Sequence, residues 1–489
     1  VICNASTPSC SSGNGSATTS DGSILANAES YWDATTGGPS GVTVTSGGVG
    51  AVLLQRDLST RKIYTYLGSS TGNLGGLDLT ANTYAFAKSN TAITNATLGL
   101  SGSLGQPADR DRLIDYIYGF DSYDADSDGN TTEKRTWVMG DVIHSVPLLA
   151  SYASQSQPDL IIVGANDGML HAFDDATGQE LWAFVPPDAL ANLHQLVPGE
   201  ATQHPFFADG SPHLRTLDDG RKIVVFGLGR GGRAYYALDI TSRTAPKLLW
   251  RINNTTSGFS ELGYSSSAPE LKRAAVGGNS QEVAVFGGGY DPAFDTATQT
   301  TANGGAGAMG RAVFMVDLLT GAKLPFSIPG GMTYPVAGDV LLFDVNGDNV
   351  FDRGYVGDLG GNVWRLNFDG TASKLFSAPA GHRIFYKPDA VVNSGYVTVY
   401  FGTGDRSNPM TTDTVDRFYA VRDDGSGNLT ENDLVNVTNQ IFPVDSEEYQ
   451  GLVEEITDKQ GWYITLGGTG EKMLAAPSVY FNVIFTTFT

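Results

Sequence analysis

Cysteine is nearly absent from this 489-residue chain, which contains only Cys3 and Cys10. The two residues enclose a short polar loop, CNASTPSC, that a disulfide could close in an oxidising compartment. A zinc site in this segment is excluded, because it would need further Cys or His ligands nearby and none occurs there.

Positive charge is also scarce: 30 Lys and Arg residues stand against 52 Asp and Glu residues, for a formal net charge of −22. Such a charge repels nucleic acid backbones and anionic membrane surfaces, so the sequence predicts no nucleic acid partner. It suits a secreted, soluble protein that binds cations.

Long apolar runs are missing as well. No stretch approaches the ~20 consecutive apolar residues of a membrane helix, which predicts that the chain has no membrane span. No basic-then-apolar leader opens the chain, and the first residue, Val1, indicates a fragment or a processed chain.

Glycine, in contrast, is abundant, and with it a repeat of strands and turns. The 61 glycines and many Ser, Thr and Asn indicate turns rather than long helices, which favours an all-β fold. From about residue 140 an apolar strand, a Gly-rich turn and a second strand recur. Equivalent strand positions 160, 223, 283, 341 and 397 are separated by 63, 60, 58 and 56 residues. A period near sixty predicts a β-propeller.

The first copy of the repeat contains the four short runs SVPLLAS, LIIVGAN, MLHAFD and ELWAFV, which together make one blade. Pro269, Pro335 and Pro477 mark the opening strands of other blades, where proline costs no central hydrogen bond. The final APSVYFNVIFTTFT predicts the opening of a sixth blade after five complete ones. We therefore expect the native protein to continue beyond Thr489.

These patterns divide the chain into three regions. Residues 1–110 are predicted as a smaller β-rich segment that includes the Cys3–Cys10 loop. Residues 111–136 are predicted as a helical and acidic linker, and residues 137–489 as the propeller. The helix is indicated by DRDRLIDYIYGFD, in which Leu113, Ile117 and Phe120 have helical spacing.

One acidic stretch, DVNGDNVFD, has the spacing of a calcium loop. The D-x-[DN]-x-[DN] pattern supplies hard oxygen ligands to a large cation at positions 1, 3, 5, 7 and 9, which are Asp344, Asn346, Asp348, Val350 (through its backbone carbonyl) and Asp352. The match to an EF-hand is partial, with Asn349 at position 6 and Tyr355 at position 12. The alternative is a polar hairpin turn with solvated carboxylates.

A second acidic stretch, DADSDGNTTE, repeats this opening. Asp124, Asp126 and Asp128 occupy positions 1, 3 and 5, and Gly129 occupies position 6. Asn130 stands at position 7 and Thr132 at position 9, where a carboxylate is lacking, although Glu133 adjoins it. A solvated acidic linker is the alternative interpretation.

No catalytic constellation is evident among the remaining motifs. The six histidines form no metal-binding pair, and His144 and His171 are interpreted as strand residues that are packed or hydrogen-bonded. The glycine-rich GLGRGGR at 227–233 lacks GK[ST] and is predicted as a tight turn between strands. Five tryptophans are assigned to packing of the blades: Trp137, Trp182, Trp250, Trp364 and Trp462.

The motif AFDDATGQELW at 172–182 is similar to the tryptophan-docking repeat of the quinoprotein-like propeller superfamily. This resemblance implies that Trp182 packs between neighbouring blades. RTWVMGDVIHSVPLL at 135–149, GWYITLGGTGEKML at 461–474 and the acidic loop resemble, more narrowly, the C-terminal propeller of the PilY/PilC family. Members of that family are tip-associated adhesins and assembly factors of type IV pili.

The resemblance implies a seven-bladed ring when complete. It implies Ca²⁺ bound by Asp344, Asn346, Asp348, Val350 and Asp352, and a second calcium loop before the first blade. It also implies an extracellular protein at the pilus tip or cell surface, in which calcium regulates pilus extension against retraction. The implied partners are minor pilins and a host-cell or abiotic surface. The N-terminal von Willebrand-type domain usual in the family is not in the sequence.

A periplasmic quinone (PQQ)-dependent dehydrogenase is the alternative function, because such enzymes share the propeller and the docking repeat. Many of them carry a vicinal Cys-Cys pair over the quinone, whereas Cys3 and Cys10 are seven residues apart and lie outside the propeller. The sequence therefore favours a binding protein that is not an enzyme.

Overall fold

The computed structural model describes residues 2–4, 23, 25, 28–30, 32, 47–101, 105–106, 108–153, 156–294, 308–325, 332–444, 446–480 and 483–489. Before the first blade they form β1 (Ile2–Asn4), β2 (Ala28–Ser30), α1 (Gly48–Gln55), β3 (Ile63–Thr65), β4 (Gly72–Asp78) and α2 (Asp109–Tyr118). The predicted Cys3–Cys10 pairing lies outside the described residues, because Cys10 is not among them.

Blades 1 and 2 each contain four consecutive antiparallel strands. Blade 1 consists of β5 (Leu148–Ala150), β6 (Leu160–Gly164), β7 (Leu170–Asp174) and β8 (Glu180–Val185). Blade 2 consists of β9 (His213–Thr216), β10 (Lys222–Gly227), β11 (Ala234–Asp239) and β12 (Lys247–Asn253).

Blade 4 repeats this pattern, whereas blade 3 has three strands among the described residues and blade 5 has five. Blade 3 has β13 (Glu270–Val276), β14 (Asn279–Gly287) and β15 (Val313–Asp317), and blade 4 has β16 (Leu341–Phe343), β17 (Arg353–Gly357), β18 (Asn362–Asn367) and β19 (Ala372–Ser377). Blade 5 has β20 (Asp389–Asn393), β21 (Tyr396–Gly402), β22 (Arg417–Asp423), β23 (Val435–Asn436) and β24 (Gly461–Thr465), with α3 (Glu447–Asp458) before β24. A last hairpin of β25 (Ser478–Tyr480) and β26 (Val483–Phe485) follows.

The blades are arranged around a common axis. The first strand of each of blades 1 to 3 lies beside the first strand of the next blade, and β20 of blade 5 lies beside β25. This arrangement confirms the predicted all-β propeller. Among the described residues, no helix combines the length and apolar character needed to cross a membrane.

The predicted register of the repeat was wrong in blade 4. Position 341 begins β16, the first strand of its blade, whereas positions 160, 223, 283 and 397 lie in second strands. The second strand of blade 4 is Arg353–Gly357, and the acidic loop connects it to β16. The apolar run VLLF resembles a second strand in sequence, but only strand pairing decides which position in a blade it occupies.

The N-terminal region is not separate from the propeller sheets. Strand β3 pairs in parallel with β8, and β4 pairs antiparallel with β12, so each extends a blade by a fifth, outer strand. The predicted division at residue 110 is therefore crossed by main-chain hydrogen bonds. These strands cover edges that blades 1 and 2 would otherwise leave unpaired.

Helix α2 confirms the predicted helical segment. Leu113 and Ile117 are buried in a cluster with Met169 and Ala183 of blade 1. Gly119, with φ of 112°, ends the helix, so Phe120 lies just beyond it. The segment that was predicted as a linker is therefore packed against the first blade.

Tryptophans dock successive blades onto one another. The indole N–H of Trp182 donates to the carbonyl of Arg243 in blade 2 (2.9 Å), and that of Trp250 donates to the carbonyl of Leu318 in blade 3 (2.8 Å). Trp364 lies in the cluster between blades 3 and 4. The structure differs at Trp137, which packs against Gly50 of α1 instead of between blades.

We predict that Trp182→Ala lowers the free energy of unfolding by about 3–5 kcal/mol, because it leaves a large cavity between blades 1 and 2. Chemical unfolding followed by circular dichroism measures this loss. Trp462→Ala is the matched control, because Trp462 is only half-buried and should cost clearly less. Equal losses for the two variants would contradict the docking role.

Candidate metal centres

The loop 344–352 folds around its own acidic side chains. The backbone N–H of Asn349 donates to Asp344 Oδ2 (2.7 Å), and that of Asp348 donates to Asn346 Oδ1 (2.9 Å). The N–H of Val350 then donates to Asp348 Oδ1 (2.8 Å). Side chains at positions 1, 3 and 5 are thus turned toward the inside of the loop, as a calcium loop requires.

Main-chain bonds tie this loop to the neighbouring blade. The N–H of Phe351 donates to the carbonyl of Arg273 (2.9 Å), and the N–H of Ala275 donates to the carbonyl of Phe351 (3.0 Å). Both partners lie in β13 of blade 3, and the Phe351 ring packs against the cluster between blades 3 and 4. The loop therefore joins two blades.

The loop 124–133 is closed at its base like a hairpin. The N–H of Asp121 donates to the carbonyl of Glu133 (2.8 Å), and the N–H of Arg135 donates to the carbonyl of Gly119 (2.9 Å). Inside the loop, the N–H of Gly129 donates to Asp124 Oδ1 (3.0 Å). This is the same bond from position 6 to position 1 as in the first loop.

The two loops also share their backbone conformation. Positions 4 and 6 are left-handed in both: Ser127 and Gly129 have φ of 63° and 86°, and Gly347 and Asn349 have φ of 77° and 66°. Asn349 accepts the left-handed turn, since asparagine is among the residues that tolerate this region. Two distant segments thus form the same kind of turn.

The carboxylates converge more closely in the loop 124–133. Oxygens of Asp124, Asp126 and Asp128 lie within 4.8 Å of one another, and so do those of Asp121, Asp126 and Glu133. Elsewhere among the described residues, including the loop 344–352, no three acidic, His or Cys side chains bring their ligand atoms within 4.8 Å of one another. A cation in that loop would need Asn346 and a backbone carbonyl to complete its ligands.

Asn130 and Thr132, the residues predicted at positions 7 and 9 of the second loop, contact each other. Thr132 at position 9 donates its hydroxyl to Asn130 Oδ1 (2.9 Å), so both side chains are engaged with each other. Glu133, beside Thr132, is the carboxylate that joins the cluster. The buried Asp121 was missed, because it precedes the first position of the motif and only the hairpin base brings it close.

Crowding of acidic groups changes their proton affinity. Desolvation together with Asp128 and Asp126 raises the pKa of Glu133. Burial, assisted by Asp344 and Asp348, raises the pKa of Asp352 although Arg353 acts in the opposite direction. A cation among these groups relieves that repulsion, and the all-oxygen donor sets fit calcium.

The chain matches the model of the PilY1 beta-propeller domain family over residues 148–413, which contain the loop 344–352. It belongs to the PilY1 beta-propeller family. The loop 124–133 precedes the matched range.

The chain is also similar to curated members of this family. It is 27% identical to a type IV pilus biogenesis factor PilY1 homolog of Xylella fastidiosa, over 80% of this chain and 30% of the relative. It is 30% identical to the type IV pilus biogenesis factor PilY1 of Pseudomonas aeruginosa, over 66% of this chain and 28% of the relative. The chain thus spans about a third of the length of these PilY1 relatives or less.

Among solved structures, the crystal structure of the Pseudomonas aeruginosa PilY1 C-terminal domain resembles this one with a TM-score of 0.51 and 24% sequence identity. The similarity covers 69% of this chain and 77% of that domain, and it supports the shared propeller fold.

In this PilY1-family propeller, the buried His171 belongs to a charged network in blade 1. Its Nδ1 lies 2.8 Å from Glu180 Oε1, and its Nε2 lies 3.1 Å from Asp167 Oδ1. Arg61 donates from Nε and Nη2 to Glu180, each at 2.8 Å. The interpretation as a hydrogen-bonded strand histidine is confirmed for His171, whereas His144 lies in a bend before β5.

The network sets the charge of His171. Burial alone would lower the pKa of this imidazole, but Asp167 and Glu180 outweigh burial and raise it to about 9. The same network holds the pKa of Glu180 well below its usual range, because Arg61 and His171 outweigh desolvation of the carboxylate. The network also joins the N-terminal region, through Arg61, to blade 1.

We predict that this network stabilises the fold below pH about 6.5 and that the contribution is lost as the pH rises through about 9, because the folded pKa lies above the unfolded one. The difference in unfolding free energy between wild type and His171→Gln should therefore shrink between pH 6 and pH 9.5. His194→Gln is the control, because its Nδ1 contacts the carbonyl of Ala191. A constant difference for His171→Gln would contradict the assignment.

Proposed function

We propose that this chain is the propeller region of a type IV pilus biogenesis factor and that it binds calcium in the loop 344–352. The observation that carries the proposal is the position of this loop: it lies inside the range matched by the PilY1 propeller family and is hydrogen-bonded to blade 3. The ligands are Asp344, Asn346, Asp348, the carbonyl of Val350, and Asp352.

The loop can influence both neighbouring blades. On one side, Phe351 is bonded to β13 of blade 3. On the other, Arg353 and Tyr355, which follow Asp352 in β17, reach Asp423 of blade 5 at 3.7 Å and 2.7 Å. The loop is therefore connected by direct contacts to blades 3, 4 and 5, and a change in its charge affects all three.

The three carboxylates of the loop 344–352 give it two different states. Without a cation, Asp344, Asp348 and Asp352 repel one another, and this repulsion adds to the burial that raises the pKa of Asp352. Calcium supplies the neutralising charge when it is bound. A metal can switch a partner contact only if the loaded and empty states differ, and this difference meets that condition.

The loop 124–133 is proposed as a second calcium site. Asp124, Asp126 and Asp128 supply its carboxylates, and the geometry adds Asp121 and Glu133 to the predicted Asn130 and Thr132. It lies between α2 and the first blade, where its charge adjoins the packed N-terminal region.

In its cellular role, the proposed protein is an extracellular adhesin and assembly factor at the pilus tip that is not an enzyme. Its partners are minor pilins and a host-cell or abiotic surface, and calcium favours pilus extension over retraction. This proposal rests on the biogenesis factors named among the relatives and on the acidic loops.

We predict that calcium at a hundredfold excess over Kd stabilises the folded protein by about 2.7 kcal/mol per independent site. Asp352→Ala should abolish the contribution of the loop 344–352, which thermal unfolding with calcium, magnesium or chelator measures. Asp369→Ala is the matched control, because Asp369 is an exposed aspartate in the turn between β18 and β19 of the same blade and bonds only Thr371 among the described residues.

Calorimetry separates the two loops. We expect two calcium ions per wild-type chain, one for Asp352→Ala and one for Asp126→Ala. An unchanged melting temperature in chelator, with no calcium uptake, would show that neither loop is a calcium site.

We predict that immobilised chain captures purified minor pilins in the presence of calcium and releases them in chelator. Asp352→Ala should capture less than wild type in the presence of calcium and match wild type in chelator, while Asp369→Ala should behave like wild type under both conditions. Quinone-dependent alcohol oxidation by the purified chain, with no pilin capture, would instead establish the dehydrogenase alternative.

A further inference from the structure

A polar cleft of about 510 Å³ opens beside blades 1 and 2, and none of its lining residues belongs to either acidic loop. Its volume falls within the range of roughly 300–1,000 Å³ that is usual for small-molecule sites. Its lining includes His194, Gln203, His204, Phe206 and Arg230.

The glycine-rich turn GLGRGGR places Arg230 in this cleft. A Cβ at Gly231 would lie 1.8 Å from the carbonyl oxygen of Phe207, and one at Gly229 would lie 2.9 Å from the backbone of Asp209. Both glycines are therefore needed for the turn to pack against the segment 206–210. This packing brings the guanidinium of Arg230 to 4.1 Å from the centre of the Phe206 ring.

The guanidinium of Arg230 is available for a ligand. The residue is exposed, and within the described part of the chain it makes no hydrogen bond or ion pair beyond its contact with Phe206. Most other arginines of these blades are paired, for example Arg215 with Glu282 and Arg251 with Asp188. Arg230 is therefore a cation without an acidic partner in the described part of a chain whose net charge is −22.

Two histidines beside Arg230 are held in fixed orientations. His194 Nδ1 lies 3.0 Å from the carbonyl of Ala191, and His204 Nε2 lies 2.6 Å from Asp141 Oδ2. The ring of His204 also packs against Phe206, with 4.8 Å between the ring centres. Each histidine therefore has one ring nitrogen not used by these contacts.

From this arrangement we infer that the cleft binds a carbohydrate that carries a carboxylate. Arg230 offers the planar pair of N–H donors that matches a carboxylate. The imidazoles, Gln203 and the carboxylate of Glu200 supply the mixture of donors and acceptors that sugar hydroxyls require. The inference goes beyond the proposed function and does not depend on calcium binding.

The test is calorimetric titration of the whole chain with 3′-sialyllactose and with digalacturonic acid, in calcium and in chelator. Lactose is the neutral control sugar, and inorganic phosphate tests for a general anion site. We expect the two acidic sugars to bind more tightly than lactose and phosphate. Because each titration is repeated in chelator, failure of the calcium proposal and failure of the cleft proposal are measured separately.

Arg230→Gln should weaken binding of the acidic sugars about tenfold to a hundredfold, since a charge-assisted pair of hydrogen bonds is lost. Arg221→Gln is the matched control, because Arg221 pairs with Asp219 next to the opposite end of β10. It should bind like wild type. Circular dichroism checks that both variants fold.

Equal binding by Arg230→Gln and wild type would overturn the inference, as would no binding of either acidic sugar at millimolar concentration. Equal binding of lactose would remove the role assigned to the carboxylate, and equal binding of phosphate would remove the role assigned to the sugar.

Discussion

The close contact between one blade and the next is the constraint on which the rest of this structure depends. A single four-stranded blade has two faces to bury and can do so only against its neighbours. Indole N–H groups reach across to main-chain carbonyls at two of these interfaces. Each second strand also ends in a glycine on which a later segment of the chain packs: Gly164, Gly227, Gly287, Gly357 and Gly402.

These glycines show how little room the interfaces leave. A Cβ at Gly164 would stand 1.9 Å from the carbonyl oxygen of Ala208, and one at Gly402 would stand 2.0 Å from the sulfur of Met473. Interfaces this tight transmit displacement instead of absorbing it. The loop 344–352 is bonded across one interface and the cleft at Arg230 is built on another, so a ligand in either place acts directly on how blades pack.

Local sequence patterns predicted most of the strands and loops, but not the position of every strand within its blade. The alternation of apolar residues identified the strands, and the D-x-[DN]-x-[DN] spacing identified both acidic loops, whose fourth and sixth positions are left-handed in the structure. The predicted register of the repeat was wrong in blade 4. Its second strand, RGYVG, is short and contains glycine, while its first strand, VLLF, has the stronger apolar pattern. Periodicity identifies a strand, whereas only pairing with its neighbours assigns its position in the sheet.

The sequence by itself determined the propeller repeat, the docking motif of Trp182 and the two acidic turns, because each is a pattern of residues close together along the chain. The tertiary structure alone decided that β3 and β4 extend blades 1 and 2, that Asp121 joins the second acidic loop, and that Arg230 meets Phe206. Strands β3 and β4 pair with β8 and β12, whose residues lie more than a hundred positions later. Such contacts form only when the chain closes on itself, and no local spacing of residue types encodes which distant segments then meet.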